Sequence, residues 1–129
     1  MLSDRQRIEF KQQLKQRYYE LREEIRQQLI NSDEEHFIDL AGQVHDLEEE
    51  SVADLLVDLN LAMLDQHIAE IRAIDASLIQ IANDSYGICG DCTVVIDIER
   101  LKANLTSTRC TRCQTAYEHS HVGPQPHTL

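Results

Sequence analysis

The sequence predicts a mainly α protein, a long antiparallel helical hairpin followed by a small C-terminal four-cysteine module. Three observations carry this expectation. Two long stretches repeat apolar residues at spacings of three and four. Only four glycines and two prolines occur among 129 residues, 27% of which are charged, a composition suited to long helices. The four cysteines form two Cys-x2-Cys pairs within residues 89–113.

Ser3 and Asp4 are suited to cap the first helix. Behind them Phe10, Leu14, Tyr18, Leu21, Ile25 and Leu29 form one stripe with polar residues elsewhere around the helix. A softer region runs from Asn31 through Gly42 to Ser51, where Ser32 and Glu35 have the spacing of a capping box for a restart. Phe37, Ile38, Leu40, Ala41, Val44 and Leu47 make that region apolar enough to pack. Ser51 with Asp54 is placed to cap the second long helix, whose stripe is Val52, Leu56, Leu59, Met63, Ile71, Ile74, Leu78 and Ile81, ending at Tyr86-Gly87. His67 falls on this stripe and reads as a locally satisfied seam histidine rather than a ligand. A continuous helix of this length rises roughly 50 Å at ~1.5 Å per residue. It cannot bury its stripe alone, so the first helix becomes its partner, with the reversal at Gly42–Ser51.

Charge is distributed unevenly. Residues 1–30 hold seven basic and five acidic groups, residues 31–60 hold ten acidic groups and no Lys or Arg, and the net charge of the whole chain is −11. Duplex binding draws its affinity from Lys and Arg stripes, so direct DNA binding is disfavoured. The acidic run Asp46, Glu48, Glu49, Glu50, followed by Asp54 and Asp58, solvates the protein on the plainest reading. At a turn such charges repel one another with little packing in return, which suits a basic or cation-containing partner surface. No apolar stretch has membrane length and no basic-then-apolar signal opens the chain, so a cytoplasmic protein is expected. That compartment argues against disulfides and for metal binding.

Cys89, Cys92, Cys110 and Cys113, with seventeen residues between the pairs, have the spacing of one tetrahedral zinc site. Gly87 and Gly90 free the backbone of the first knuckle. A redox dithiol is the competing reading, but that motif normally opens a helix in a βαβ unit, and no such pattern surrounds these cysteines. Four thiolates fill the shell and leave no place for an activated water, so the zinc is structural, and a protein that is not an enzyme is expected. The zinc substitutes for a core that so short a segment cannot build. Val94-Val95-Ile96 reads as a short strand, Asp97–Ala103 as a helical turn with Ile98 and Leu101 inward, and a short helix closes the module. His119, His121 and His127 decorate a tail containing Gly123, Pro124 and Pro126. The expected organisation is a hairpin over 1–85 with its acidic tip near 42–51, a zinc module over 86–119, and a disordered tail over 120–129.

Tyr86-Gly87-Ile88-Cys89-Gly90-Asp91-Cys92, then Ile96, Arg100-Leu101 and Ala103, then Cys110-Thr111-Arg112-Cys113, resembles the DksA/TraR zinc-finger family. That family's pattern is roughly YGxC-x2-CGxxI-x3-RLxA-x6-CxxC. Thr93 stands where the family usually has glycine and Leu105 where proline is common. The resemblance implies a transcription regulator that binds RNA polymerase and inserts its hairpin into the secondary channel, so that the tip approaches the catalytic magnesium. It matches the family's Asp-x-x-Asp-x-Ala tip to Asp46, Glu49 and Ser51, the second acid being one methylene longer and serine replacing alanine. Carboxylates are hard oxygen ligands suited to magnesium, and a cleavage role for three oxygen-bearing side chains is a further option. Two other classes fit the same sequence. One is a zinc-ribbon adaptor that docks another protein through its coiled coil. The other is a coiled coil that pairs its stripe between chains, where a single-chain hairpin implies a monomer.

Overall fold

The computed structural model describes residues 2–32, 34–47, 52–56 and 61–121. Six α-helices follow one another among them: α1 (Asp4–Asn31), α2 (Glu35–Asp46), α3 (Val52–Leu56), α4 (Asp65–Ala82), α5 (Ile98–Ala103) and α6 (Thr111–His121). The predicted mainly α class is correct.

α1 is the spine. It starts with a complete capping box, in which the Ser3 hydroxyl accepts from Gln6 N–H and the Gln6 side chain accepts from Ser3 N–H. All six residues of its expected stripe, Phe10 through Leu29, are buried. The helix ends at Ser32, whose hydroxyl donates to the Leu29 carbonyl at 2.6 Å. The expected break and restart at Ser32 is present, but not as a capping box. The hydroxyl closes α1 and accepts only a long bond from Glu34 N–H (3.4 Å), and α2 begins at Glu35 behind an N-cap, Glu34, that makes no side-chain cap.

α2 then returns along α1, burying Leu40, Ala41 and Val44. The Arg22 guanidinium donates to the Val44 and His45 carbonyls at 3.1 and 2.8 Å, a cation on the exposed carbonyls of a helix C-terminus. α4 packs antiparallel along the rest of α1. Arg17 makes a forked pair with Glu70 at 2.8 and 3.1 Å, His67 meets Glu24 at 3.1 Å, and Arg7 reaches Asp84. His67 is thus a seam residue paired at one ring nitrogen only: Nε2 meets Glu24, whereas Nδ1 is buried without a partner among the described residues, so the expected local satisfaction is incomplete. The Arg17–Glu70 fork lowers the Glu70 carboxyl below its usual range, against the opposing effect of partial burial.

Three boundaries differ from the sequence reading. The first reversal after α1 lies between Asn31 and Glu35, not at Gly42–Ser51, and Asp46 ends α2 at the level of Arg22. An apolar face on 37–44 and a hydroxyl that ends α1 are together enough to fold α2 back. The second long helix is also interrupted. Leu61 is extended (φ −92°, ψ 110°), Ala62–Leu64 form a 3-10 turn, and α4 starts only at Asp65. In a 3-10 turn positions i and i+3 eclipse, so Leu61 and Leu64 share one side: Leu64 is fully buried, Leu61 packs beside the core, and Met63 is 43% exposed instead of lying in the seam. Leu59 and the proposed cap Ser51 lie outside the described residues. Finally, α4 stops at Ala82, four residues before Tyr86. Asp84 takes the left-handed conformation (φ 62°), Ser85 N–H bonds the Gln80 carbonyl and Asp84 N–H that of Ile81, a Schellman ending with aspartate in glycine's usual place. Ser77, not part of the expected stripe, is buried in α4 with its hydroxyl unpartnered among the described residues.

Candidate metal centre

The module begins where α4 has ended and is hung from α1 by Tyr86. That ring is buried 5.6 Å from Phe10, and its hydroxyl donates to the Leu105 carbonyl at 2.7 Å. Burial pushes the Tyr86 phenol up to about 12, so it stays a donor throughout the physiological range. Gly87 follows with φ +83°, a conformation that favours glycine, and a side chain there would meet the tip of Leu2 at 3.3 Å. Ile96 and Leu101 complete a small apolar floor.

Backbone bonds fold residues 87–96 into a hairpin: Cys89 N–H to the Val94 carbonyl (2.8 Å), Ile96 N–H to Gly87 (2.8 Å) and Thr93 N–H to Cys89 (2.9 Å). The expected strand at Val94–Ile96 is reduced to a single bridge between Ile88 and Val95. Its turn brings Thr93 to φ +65°, the left-handed region that a β-branched residue disfavours and glycine enters freely. Asp97 caps α5, as its place in the sequence suggests, by accepting from Glu99 N–H.

The second pair arrives on the turn into α6. Gly90 N–H bonds the Thr108 carbonyl at 2.9 Å, Arg100 Nε donates to the Arg109 carbonyl at 2.8 Å, and Arg109 Nε pairs with Asp91 at 2.9 Å. Arg109 also lies 3.8 Å from the centre of the Tyr117 ring, fastening the first turns of α6 to the knuckles. Neither arginine was singled out for this role in the sequence; only the place of Arg100 in the family pattern hinted at it.

The outcome is a cluster in which the sulfurs of Cys89, Cys92, Cys110 and Cys113 all lie within 4.8 Å of one another. Tetrahedral bonds of about 2.3 Å to sulfur imply S···S edges of about 3.8 Å, and Cys92 and Cys110 are 3.8 Å apart. The donor set therefore fits a tetrahedral, thiolate-binding ion. The proton balance agrees. Burial raises the Cys89 thiol, but the N–H groups of Cys110, Cys92 and Asp91 outweigh it and bring it down to about 6, whereas hydrogen bonds with Cys92 and Cys110 push Cys113 up to about 12. Sulfurs this close cannot all be thiolates unless a cation sits among them. This is the one such cluster among the described residues; His119 is exposed on α6, which runs to His121, one residue beyond the expected start of the tail.

Of the tip residues, Asp46 is exposed at the end of α2, while Glu49 and Ser51 lie outside the described residues. No helix among the described residues is long and apolar enough to cross a membrane.

No protein-family model and no curated protein matches the chain. Solved structures do. The chain is similar to the transcription factor DksA2 from Pseudomonas aeruginosa, with a TM-score of 0.64 and 21% identity over 92% of this chain and 87% of that one. It is also similar to the RNA polymerase binding protein and transcriptional regulator Dks from Chlamydia trachomatis, with a TM-score of 0.55 and 20% identity over 95% and 98% of the two chains. The fold is DksA-like.

Proposed function

We propose that this chain is a transcription regulator of the DksA/TraR type, which binds RNA polymerase and holds one structural zinc on Cys89, Cys92, Cys110 and Cys113. The observation that supports it most is the coincidence of two things in one molecule: a four-sulfur cluster of tetrahedral dimensions and a helical fold shared over nearly its whole length with proteins named as transcription factor and RNA polymerase binding regulator. Zinc is the ion that four thiolates from two Cys-x2-Cys pairs select best in a reducing compartment. With its shell filled by protein, the ion organises the module and offers no open position for catalysis.

In this reading residues 1–85 are the docking rod, 86–119 the zinc module and 120–129 a tail, and the protein works as a cytoplasmic monomer without direct DNA contact. The rod enters the polymerase's secondary channel. Asp46, Glu49 and Ser51 form the part that meets the active centre, where carboxylates approach a magnesium ion directly or through water. Supporting this is the concentration of ten acidic residues and no Lys or Arg in 31–60, which matches a cation-containing site and opposes a nucleic-acid backbone.

The test is binding of the zinc-loaded chain to core RNA polymerase, in competition with a protein known to occupy the secondary channel. Binding that the competitor displaces and chelation abolishes is the expected result. Absence of binding at micromolar concentration, or binding indifferent to the competitor, overturns the reading.

A further inference from the structure

The breaks that fold α2 back onto α1 are held by packing and by Arg22, and not by side-chain helix caps. α1 begins with a reciprocal capping box, whereas neither Glu34, at the N-cap of α2, nor Leu64, at the N-cap of α4, makes a side-chain cap. The apolar stripe also runs in phase through both breaks. Leu29 to Leu40 is eleven residues, about three turns at ~3.6 residues each, and Leu56 to Ile74 is eighteen, about five turns. Each half of the sequence is therefore periodic as one continuous helix, although the structure divides it.

The pairing of α1 with α4 carries a second signal. Arg7–Asp84, Arg17–Glu70 and Glu24–His67 are each centred on residues 43–46 of the chain. Two antiparallel helices in that register, prolonged without slipping, would meet in a turn at 43–46, further along the axis of α1 than the place where the chain now folds back. Prolonged in this way, the same register would set α2 against α3, which now packs on α4. The fold-back is held by the packing of Leu40, Ala41 and Val44 on α2 and of Val52, Ala53 and Leu56 on α3, by the Ser32 hydroxyl, by the two bonds from Arg22 to the Val44 and His45 carbonyls, and by the Tyr18 hydroxyl at the Val52 backbone, all of which a longer hairpin would exchange.

We infer that the chain has two arrangements with one α1–α4 register: the folded-back state described above, and a single long hairpin in which α2 continues α1 and Asp46 moves from beside Arg22 to the hairpin's end. The fold-back is then an autoinhibitory contact that keeps Asp46 back from the hairpin's end. Its role in polymerase binding rests on the function proposed above; the equilibrium itself does not.

Electron–electron distances between spin labels at Gln13 and Gln43, attached to azide-bearing side chains so that all four cysteines are kept, separate the two states. Folded back, Gln43 lies near the level of residue 23 of α1, a distance of roughly 20 Å, whereas thirty residues of one helix give about 45 Å. The zinc-loaded full chain is expected to show both populations. Ser32→Ala and Arg22→Ala should each enlarge the long one. Glu35→Pro should remove it, because proline is accepted at the first position of α2, behind the extended Glu34 (ψ 134°), but not inside a continuous helix. Helix content and zinc content of each variant establish that it has folded. Saturating core polymerase should convert the parent to the long distance and bind Glu35→Pro at least tenfold more weakly. A single short distance in the parent and in all three variants overturns the inference. So does polymerase binding with the short distance retained, an outcome that leaves the proposed function standing. Polymerase that fails to bind the parent removes the proposed function instead, and the distances in the free variants still decide the equilibrium.

Discussion

The helical part and the cysteine module reach order by opposite means. α1 buries Phe10, Leu14, Tyr18, Leu21, Ile25 and Leu29 in one stripe against α2 and α4, so its order comes from apolar area removed from water. Beyond Tyr86 the fully buried apolar residues are few, chiefly Cys89, Ile96 and Leu101, and fewer than forty residues of mostly exposed chain surround them. That module is held by backbone bonds around four convergent sulfurs. Where apolar area is short, a local charge centre substitutes for it. Tyr86, packed on Phe10 and bonded to Leu105, is the hinge post between the two regimes.

If this contrast is right, the two regions fail separately. Chelating the metal, or making Cys110→Ser, should unfold residues beyond Tyr86 while most helical circular dichroism survives, because binding free energy and folding free energy coincide only in the module. Metal analysis should give one zinc per chain in the parent and none in the variant. A purified protein that keeps its module and binds no metal contradicts the contrast. The reverse experiment is Leu21→Ala. Leu21 is fully buried, and its loss should cost about 2–5 kcal/mol in denaturant unfolding of the helices with zinc content unchanged.

Two smaller effects sharpen the comparison. Thr93→Gly relieves a left-handed β-branched residue in the first knuckle, and should strengthen the module by about 1 kcal/mol after the entropy lost to glycine, read as slower zinc loss to a chelator. In the helical part, burial and then the nearby Asp54 raise the Asp75 carboxyl above its ordinary value. A folded state that holds this proton more tightly than the unfolded chain loses stability as pH rises through the carboxylate range. Asp75→Asn should therefore be more stable than the parent at neutral pH. That advantage should shrink on acidification below the parent's titration, and an equal difference at pH 4 and pH 7 would rule out this origin.

How much of this was legible follows from the range of the interactions. The α1 stripe was readable because every member lies within three or four residues of the next, and each is buried as expected. The cysteine cluster was readable because thiolate chemistry limits the spacings that close a tetrahedron. The fold-back was not. It depends on Arg22 reaching carbonyls more than twenty residues away and on a hydroxyl that serves equally well to end one helix or begin another. The break at Leu61–Leu64 was hidden because Leu61, Met63 and Leu64 satisfy either a helical or a 3-10 period over so short a run. Thr93 was visible as a departure from the family's glycine, but its physical cost became plain only with its φ of +65°.

The proposed action of the acidic segment inside the polymerase, as against a role only in keeping the rod soluble, is open to a direct test. The direct measurement is polymerase binding and promoter-specific transcription, side by side, for Asp46→Asn, for Asp46→Asn with Glu49→Gln, and for Asp39→Asn. The account predicts that binding is largely retained in all three, that regulation falls for the first and further for the second, and that Asp39→Asn is nearly silent. Equal, small effects at every position, or a double variant that folds, binds and regulates like the parent, would contradict it.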